Sequence, residues 1–179
     1  MISEERVSRF LSLLLRHRPP DYPLAFDERG FVAWEDLFET VWRRFPEITE
    51  EELRGVIENS DKKRFELAEG KVRATYGHSF PVALGLESIE PPAELYHGTA
   101  RDLAGTILQA GLRPRGRQFV HLSPTVEEAV AVGRRGDPHP EVVIVAAREA
   151  HASGIEFYQS GPLFLTRAVP PKFLSLQRR

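Results

Sequence analysis

The sequence changes its pattern once, near a pair of prolines, and this change constrains the fold more than any other feature. Before Pro91-Pro92, apolar residues recur at helical spacing in three segments and then alternate around one turn. After the prolines, short strand-like runs are separated by short helical segments. Residues 86–94 have the composition of a linker. The 179-residue chain is therefore predicted to be an α+β protein with two lobes, residues 1–88 and 93–179.

The first lobe is predicted to hold three helices followed by a hairpin. Ser3 begins the first helix, and Pro19-Pro20 end it. The apolar spacing over residues 34–41 indicates a second helix, and Thr49–Glu52 form a capping-box pattern for a third. Glu69-Gly70 mark the turn of the hairpin. This order of elements is typical of a winged helix, a common nucleic-acid-binding module.

Two strand-like runs of the second lobe each carry a histidine close to a small hydroxyl residue. One run is Leu95–Thr99 with His97, and the other is Gln118–Ser123 with His121. If the runs pair in one sheet, both imidazoles reach one cleft, which favours a site for a polar, ribose-bearing ligand. Gly98 would let a ligand approach the backbone closely. The alternative for each histidine is a half-buried strand residue with satisfied hydrogen bonds.

The rest of the second lobe is predicted to alternate helices and strands. The helices span 102–110 and 125–133, and the strands span 142–147, 157–158 and 163–166. Arg113, Arg115 and Arg117 alternate before the second histidine, so an extended backbone would direct them to one face. Three guanidiniums on one face repel each other unless an anion lies between them. Solvation at the surface is the alternative for Arg113 and Arg115.

Several classes of protein are excluded or disfavoured by composition. The chain has no cysteine, which excludes disulfides, thiolate metal ligands and a cysteine nucleophile. It lacks a signal-peptide pattern and any apolar run of roughly 18 residues, so we expect a cytoplasmic protein without a membrane span. No third ligand falls at metal-binding spacing from His97 and His121, so no metal is expected. The glycine fingerprints of Rossmann and Walker nucleotide sites are also missing.

Charge is distributed unevenly along the chain, although its net value is −2. Residues 1–90 carry 13 basic and 18 acidic side chains, whereas residues 91–179 carry 11 and 8. The acidic first half disfavours a general nucleic-acid binder, which needs positive charge to neutralise phosphates. Most of the basic residues are arginine, whose planar guanidinium can grip a phosphate through two hydrogen bonds.

Two groups of cations in the first lobe allow both a structural and a functional interpretation. Arg16-His17-Arg18 close the first helix, where cations complement the helix dipole and bond the last carbonyls. Arg64 follows Lys62-Lys63 at the start of a strand, where a solvated run of charge is usual. His78-Ser79 fits a polar loop. Taken alone, these cations are explained at least as well by structure as by function.

The motifs of both lobes occur together in an order that a known family shares. They are Leu14–Pro19, Asp27–Val32, Lys63–Leu67, Arg73-Ala74, Gly77–Ser79, Leu95–Thr99, Gly116–Gln118, Val120–Ser123, Phe157–Ser160, Leu165-Thr166 and Val169–Pro171. In this order they resemble the RNA 2′-phosphotransferases of the KptA family along nearly the whole chain. Any one of these motifs alone would be a weak signal.

The resemblance implies both a fold and a reaction. The fold is an N-terminal winged-helix-like lobe for RNA and a C-terminal ADP-ribosyltransferase-like lobe for NAD. In the reaction, an internal 2′-phosphate of RNA, as at a tRNA splice junction, is transferred to NAD⁺ through a 2′-phospho-ADP-ribosyl RNA intermediate. Nicotinamide and ADP-ribose 1″,2″-cyclic phosphate are released. The implied partner is a tRNA-like RNA with a 2′-phosphate, and we expect a monomer that uses no metal.

The resemblance also assigns site residues position by position. The family's catalytic group corresponds to Arg16, His17, Arg64 and Arg117. The NAD-binding group corresponds to His97, Gly98, Thr99, His121 and Ser123. The chain departs from the family's usual residues at Tyr76 and Phe119, and again after Ser160. There, Gly161-Pro162 replace an Asn-Gly pair near the expected nicotinamide pocket.

Two other functions stay open at the level of sequence. An ADP-ribosyltransferase that leaves ADP-ribose on a terminal phosphate of RNA or DNA, or on protein, would keep His97 and His121. It would not need all of the arginines. A winged-helix binding module without enzymatic activity would need none of these residues, and the presence of His97, His121 and Arg117 argues against it.

Overall fold

A computed structural model describes residues 3–178, which form six α-helices and small antiparallel sheets. This architecture confirms the predicted α+β class. The described residues form two compact units that divide between Gly85 and Leu86, here called unit 1 and unit 2. The predicted lobes, residues 1–88 and 93–179, also include Met1, Ile2 and Arg179, which lie outside the described residues.

Unit 1 contains three α-helices and one three-stranded antiparallel sheet in the order β1-β3-β2. The helices are α1 (Glu4–His17), α2 (Trp34–Arg44) and α3 (Glu50–Glu58), and the strands are β1 (Val32–Ala33), β2 (Phe65–Ala68) and β3 (Lys71–Ala74). A 3₁₀ turn over Asp61–Lys63 leads into β2. The three predicted helices and the hairpin are confirmed. Strand β1 is not foreseen, because a run of two residues carries no periodicity.

Helix α1 holds its place because its apolar residues recur on one face. The buried residues of that face are Val7, Leu11, Leu14 and Leu15. Burial of one such side chain contributes about 2 kcal/mol, so the helix is anchored firmly in the core of unit 1. It ends where Arg18 adopts a left-handed conformation with φ 47°, just before Pro19-Pro20. Arg16 and His17 therefore project from a fixed helix end.

Local sequence signals also determine where β2 begins. At the predicted capping box of α3, the Thr49 hydroxyl accepts from the Glu52 amide at 3.2 Å, and Glu52 Oε2 accepts from the Thr49 amide at 2.9 Å. The hairpin turn has Glu69 at φ 50° and Gly70 at φ 72°. The resulting register pairs Phe65 with Ala74. These features fix the position of the residue before β2, which is Arg64.

Unit 2 contains three α-helices and two three-stranded antiparallel sheets. The helices are α4 (Arg101–Ala110), α5 (Val126–Gly133) and α6 (Ala147–Ala152), and the strands are β4 (Leu95–Thr99), β5 (Val120–Leu122), β6 (Glu141–Val145), β7 (Phe157–Ser160), β8 (Leu163–Thr166) and β9 (Leu174–Leu176). One sheet has the order β4-β6-β9 and the other has the order β5-β8-β7. Apolar residues of both sheets, including Leu95, Leu122 and Phe157, share one core.

The predicted pairing of the two histidine strands in one sheet is wrong. Strand β4 pairs with β6, and β5 pairs with β8, so the two strands belong to different sheets. Their backbones are joined at an isolated bridge, where the Tyr96 amide donates to Ser123 O at 2.9 Å and the Ser123 amide donates to Tyr96 O at 2.8 Å. The apolar strand β6 pairs with all five residues of β4, whereas β5 is only three residues long.

Three smaller predictions for unit 2 also need correction. The strand expected over 118–123 spans only Val120–Leu122, because the preceding residues bend. The strand expected over 142–147 ends at Val145, because Ala147 begins the unforeseen helix α6. The alternation of Arg113, Arg115 and Arg117 does not form an extended face, because Gly116 has φ 67° and turns the backbone between the last two.

Gly98 lets β4 pack directly against the backbone of α5. A Cβ atom at this position would lie 1.7 Å from Ala129 O and 2.9 Å from Gly133 N. Contact at that distance is impossible, so no other residue fits without moving the helix. Because strand side chains alternate, this α5 face is opposite the face that carries His97 and Thr99. Packing against α5 therefore accounts for this glycine.

Candidate functional site

Unit 1 gathers three predicted site residues around the segment that follows β3. We call Arg16, His17 and Arg64 the cationic cluster, and the segment Thr75–Ser79 the strap. The strap contacts all three, because its residues bond the end of α1 and the start of β2. The cluster thus makes contacts with backbone that is far away in sequence. A role in complementing the helix dipole, or as a solvated run of charge, would not require such contacts.

Arg16 is half-buried and lies over an aromatic ring of the strap. Its guanidinium carbon is 4.8 Å from the centroid of the Tyr76 ring. Such a cation–π contact contributes about 1 kcal/mol at a partly exposed site. The next residue, Gly77, has φ 87°, and a Cβ there would lie 3.2 Å from Arg16 Cδ and Nε. A glycine is needed at this position for its conformation and for the space that Arg16 occupies.

His17 is exposed, and its ring is held by the last residue of the strap. The Ser79 amide and hydroxyl donate to Arg16 O at 2.9 Å and 3.1 Å, which satisfies a carbonyl at the end of α1. Ser79 Oγ also lies 3.1 Å from His17 Nδ1. A hydroxyl has one proton, and Arg16 O accepts it, so His17 Nδ1 donates to Ser79 Oγ. This contact orients the ring.

Arg64 precedes β2 and is half-buried. Its amide donates to Ser60 Oγ at 3.2 Å, and its carbonyl accepts from the Thr75 amide at 3.0 Å. Among the residues that the structure describes, its guanidinium forms no hydrogen bond or ion pair. Arg64 therefore presents a positive charge that no carboxylate neutralises within the described part of the chain.

His78 lies at the centre of the strap and is buried rather than part of a polar loop. Only 1% of its surface is exposed. Burial, together with the nearby charges of Arg16, Arg73 and His17, lowers the pKa of His78 from 6.5 to about 4. The imidazole is therefore neutral at physiological pH. Its ring packs edge-on against Phe80, with centroids 5.4 Å apart, and anchors the strap in unit 1.

Unit 2 brings His97 and His121 together, although by a bridge between sheets rather than by a shared sheet. We call these two residues the imidazole pair. His97 Nδ1 lies 3.1 Å from the carbonyl oxygen of His121. A carbonyl only accepts, so His97 Nδ1 carries the proton and Nε2 is an acceptor when the ring is neutral. Burial lowers the pKa of His97, which the bond to His121 O partly opposes, so the neutral form is favoured.

The second imidazole of the pair has the opposite tautomer. Arg117 Nη1 lies 3.0 Å from His121 Nδ1. A guanidinium only donates, so His121 Nδ1 accepts and Nε2 carries the proton of the neutral ring. The neutral pair therefore has one acceptor nitrogen on His97 and one donor nitrogen on His121. Two neighbouring hydroxyl groups on a ribose, which both donate and accept, match such a set.

The other predicted residues of unit 2 lie on β4 or directly after β5. Thr99 is buried at the end of β4, and Ser123 is buried where it bridges to Tyr96. Gly98 lies between His97 and Thr99 but faces α5. Sequence analysis assigns no role to Thr75 and names Tyr76 only as a departure from the family's usual residue, whereas in the structure Tyr76 contacts Arg16 and Thr75 bonds Arg64. A signal for them was present, since Arg73-Ala74 and Gly77–Ser79 flank them in the motifs.

Residues 3–178 contain no group of three or more metal-binding side chains, and no helix among them is long and apolar enough to cross a membrane. The strand pair after α6 forms a tight hairpin in which Ser160 pairs with Leu163. Gly161 has φ 58°, which suits the first position of a two-residue hairpin turn before Pro162. The departure from the family pattern at this position is therefore compatible with a regular turn.

The fold and its polar side chains define an α+β protein with a cationic cluster in one unit and an imidazole pair in the other. A family model described as "RNA 2'-phosphotransferase, Tpt1 / KptA family" matches residues 3–165. This match and the relatives described next show that the chain belongs to this family.

Relatives from three organisms are similar over nearly their whole length. One from Acetivibrio thermocellus is 41% identical over 180 positions, which cover 99% of each chain. One from Thermococcus kodakarensis is 37% identical and covers 96% of each chain. One from Agrobacterium fabrum is 42% identical and covers 94% of this chain and 92% of its own. Each is named "Probable RNA 2'-phosphotransferase".

Proposed function

We propose that this chain transfers an internal 2′-phosphate of RNA to NAD⁺ and releases nicotinamide and ADP-ribose 1″,2″-cyclic phosphate. The observation that carries the proposal is the cationic cluster, in which Arg16, His17 and Arg64 are ordered around one strap. The family supports the same function, because its relatives are named for RNA 2′-phosphotransfer.

The residues of unit 2 have the chemistry needed to bind NAD⁺. His97 offers an acceptor nitrogen and His121 a donor nitrogen, as the hydrogen bonds to His121 O and Arg117 indicate. Thr99, at the end of β4, and Ser123, directly after β5, add hydroxyl groups. We assign these residues, together with the backbone at Gly98, to binding of the ADP-ribose part of NAD⁺. When bound, NAD⁺ supplies the ribose carbon that accepts the phosphate as nicotinamide leaves.

The cationic cluster suits a phosphate that acts as a nucleophile. A phosphate already carries negative charge, so it needs orientation more than it needs a base. Arg16 and Arg64 can hold its oxygens and stabilise the charge that develops when phosphorus is attacked later. With Nδ1 bonded to Ser79, a protonated His17 can donate a proton or a hydrogen bond through Nε2. Arg117 completes the proposed catalytic group, with one guanidinium nitrogen already on His121.

We propose that unit 1 binds the RNA in the manner of a winged helix. Its order of elements supports this role: three helices are followed by an antiparallel hairpin, with a short third strand beside it. We further propose that unit 2 is the ADP-ribosyltransferase-like part. Its two three-stranded sheets, which carry the imidazole pair where they meet, are compatible with that assignment.

Product analysis tests the proposal directly. Purified protein is incubated with NAD⁺ and a short RNA that carries one internal 2′-phosphate, and the products are identified by mass. We expect free nicotinamide, RNA with a 2′-hydroxyl and ADP-ribose cyclic phosphate. Stable ADP-ribosylated RNA, DNA or protein from the wild type would instead identify a different ADP-ribosyltransferase. If no nicotinamide is released with any nucleic acid, the result would instead favour a winged-helix binding module without enzymatic activity.

A further inference from the structure

We infer that Thr75 and Ser60 are positioning residues for Arg64, an inference that rests on the proposed role of Arg64 in phosphate transfer. Neither residue belongs to the cationic cluster. Since the Arg64 guanidinium forms no hydrogen bond or ion pair within residues 3–178, its side chain is directed mainly by its backbone. The backbone at Arg64 is therefore where its orientation is set.

Three backbone polar groups around the Arg64 Cα atom have hydrogen-bond partners outside the Lys63–Phe65 backbone. On the amino side, Lys63 O accepts from Thr75 Oγ1 at 2.7 Å, and the Arg64 amide donates to Ser60 Oγ at 3.2 Å. On the carboxyl side, Arg64 O accepts from the Thr75 amide at 3.0 Å. Two hydroxyl groups thus hold the peptide that leads into Arg64. Removal of either hydroxyl would free one end of that peptide.

The backbone before Arg64 also adopts a costly conformation. Lys62 has φ 61° and Lys63 has φ 45°, so two consecutive residues with side chains are left-handed. Each such residue costs roughly 1–2 kcal/mol relative to an ordinary helical conformation. Conformations of this kind persist only where surrounding contacts enforce them, and they cluster at functional sites. The bonds from Ser60 and Thr75 are contacts of that kind, because they hold the residue that ends the turn.

The consequence is specific for Arg64. Without the Thr75 hydroxyl, the Lys63–Arg64 peptide can relax toward an unstrained conformation and turn the guanidinium away from the phosphate. A displacement of about 1 Å in a group that orients a reactant can reduce the rate as much as 10²-fold. We therefore expect Thr75→Val, which keeps the shape and loses the donor, to lower kcat about tenfold. The KM for NAD⁺ should not change.

Kinetics with matched variants test the inference. Thr75→Val and Ser60→Ala are compared with Thr75→Ser, which keeps the hydroxyl, and Thr75→Val is repeated in the Arg64→Ala background. We expect Thr75→Ser to retain most of the wild-type kcat. We also expect Thr75→Val to have no further effect once Arg64 is removed, because the two residues act through one group. An equal loss from Thr75→Val in both backgrounds would overturn the inference.

A second readout does not depend on activity. The Arg64 side-chain Nε–H resonance is identified by its loss in Arg64→Ala and is followed by NMR. It should shift or broaden in Thr75→Val and stay unchanged in Thr75→Ser. An unchanged resonance in Thr75→Val, with melting temperatures that show both variants folded, contradicts the inference. If Thr75→Val does not fold, Ser60→Ala gives the same comparison. A wild type that transfers no phosphate would refute the proposed function, while the NMR result would still decide this inference.

Discussion

The two units adopt left-handed backbone conformations in different ways. In the described part of unit 1, four residues with side chains are left-handed: Arg18, Lys62, Lys63 and Glu69. In the described part of unit 2, every residue with positive φ is a glycine. Two of the four left-handed residues of unit 1 directly adjoin the cationic cluster, since Arg18 follows His17 and Lys63 precedes Arg64, and Lys62 lies one position further away. The imidazole pair instead lies on regular strands.

This difference indicates two ways to order a polar site. The cationic cluster lies at chain ends and turns, where a strap of hydroxyl, aromatic and buried imidazole groups holds it. The imidazole pair is ordered by the strand framework, because a backbone carbonyl and Arg117 determine which nitrogen of each ring carries a proton. Substitutions in the framework of unit 2 should therefore affect folding, whereas substitutions in the strap should affect activity more than stability.

The largest effect is expected from Gly98→Ala. The new methyl group would lie 1.7 Å from Ala129 O, so α5 must move away from β4. We expect a loss of about 4 kcal/mol or more in the free energy of unfolding. Gly105→Ala is the matched control, because this glycine lies inside α4 with open space around it. That control should gain about 0.5–1 kcal/mol. Urea unfolding measures both, and equal stabilities would contradict the packing described for unit 2.

A loss of activity without a comparable loss of stability is expected from Arg16→Ala. The variant removes a cation that we assign to the phosphate, so kcat should fall on the order of 10²–10³-fold, or about 3 kcal/mol in barrier. Arg43→Ala removes an exposed guanidinium that, among residues 3–178, pairs with Glu39 alone, and it should retain activity. If both variants keep the wild-type kcat, Arg16 has no catalytic role.

Because the imidazole of His78 is buried in the strap, the stability of unit 1 should decrease at acidic pH. The pKa of His78 is about 4 when folded and about 6.5 when unfolded, so the unfolded chain binds more protons between these values. The contribution of His78 to the free energy of unfolding should be fully present above pH 6.5. It should decline as the pH falls toward 4, by about 2 kcal/mol between pH 7 and pH 5.

His78→Gln tests this dependence, because glutamine does not titrate. Urea unfolding of the variant should show a smaller decline from pH 7 to pH 5 than the wild type. The shift at His97 in unit 2 has the same sign and stays in both proteins. An identical decline in both would show that His78 is not held neutral by its surroundings.

The smallest effect is expected at the strained turn itself. Lys62→Gly removes the Cβ atom that opposes a left-handed conformation, whereas Lys62→Ala removes the charge and the rest of the side chain but keeps Cβ. The glycine variant should be more stable than the alanine variant by about 1 kcal/mol. Thermal unfolding compares them, and an alanine variant of equal or greater stability would show that the turn carries no strain.

The sequence predicts the elements of this protein better than the contacts between them. Thr49–Glu52 and Glu69-Gly70 carry strong local signals, and the structure has the cap and the hairpin that they predict. Pairing of β4 with β6 is decided by packing of strands far apart in sequence, so local patterns could not reveal it. Likewise, nothing in the composition of a polar loop indicates that His78 is buried.

For the site as well, the sequence indicates individual residues better than the contacts between distant segments. The residues of the cationic cluster were named through resemblance, but the strap that holds them becomes visible only when distant segments meet. Thr75 looks like an ordinary residue after a strand, yet its hydroxyl bonds Lys63 O across twelve positions of sequence. Gly98 was expected to make room for a ligand, while the structure gives it a role in packing against α5. Its assignment to NAD⁺ binding stays a prediction.

The central claim is that the two units divide the work: the imidazole pair holds NAD⁺ and the cationic cluster acts on the RNA phosphate. Calorimetric titration of NAD⁺ into the wild type, Arg64→Ala and His97→Ala, without RNA, tests this division most directly. We expect Arg64→Ala to bind within about twofold of the wild type and His97→Ala to bind about tenfold more weakly or worse. Unchanged affinity in His97→Ala, or a tenfold loss in Arg64→Ala, would contradict the claim.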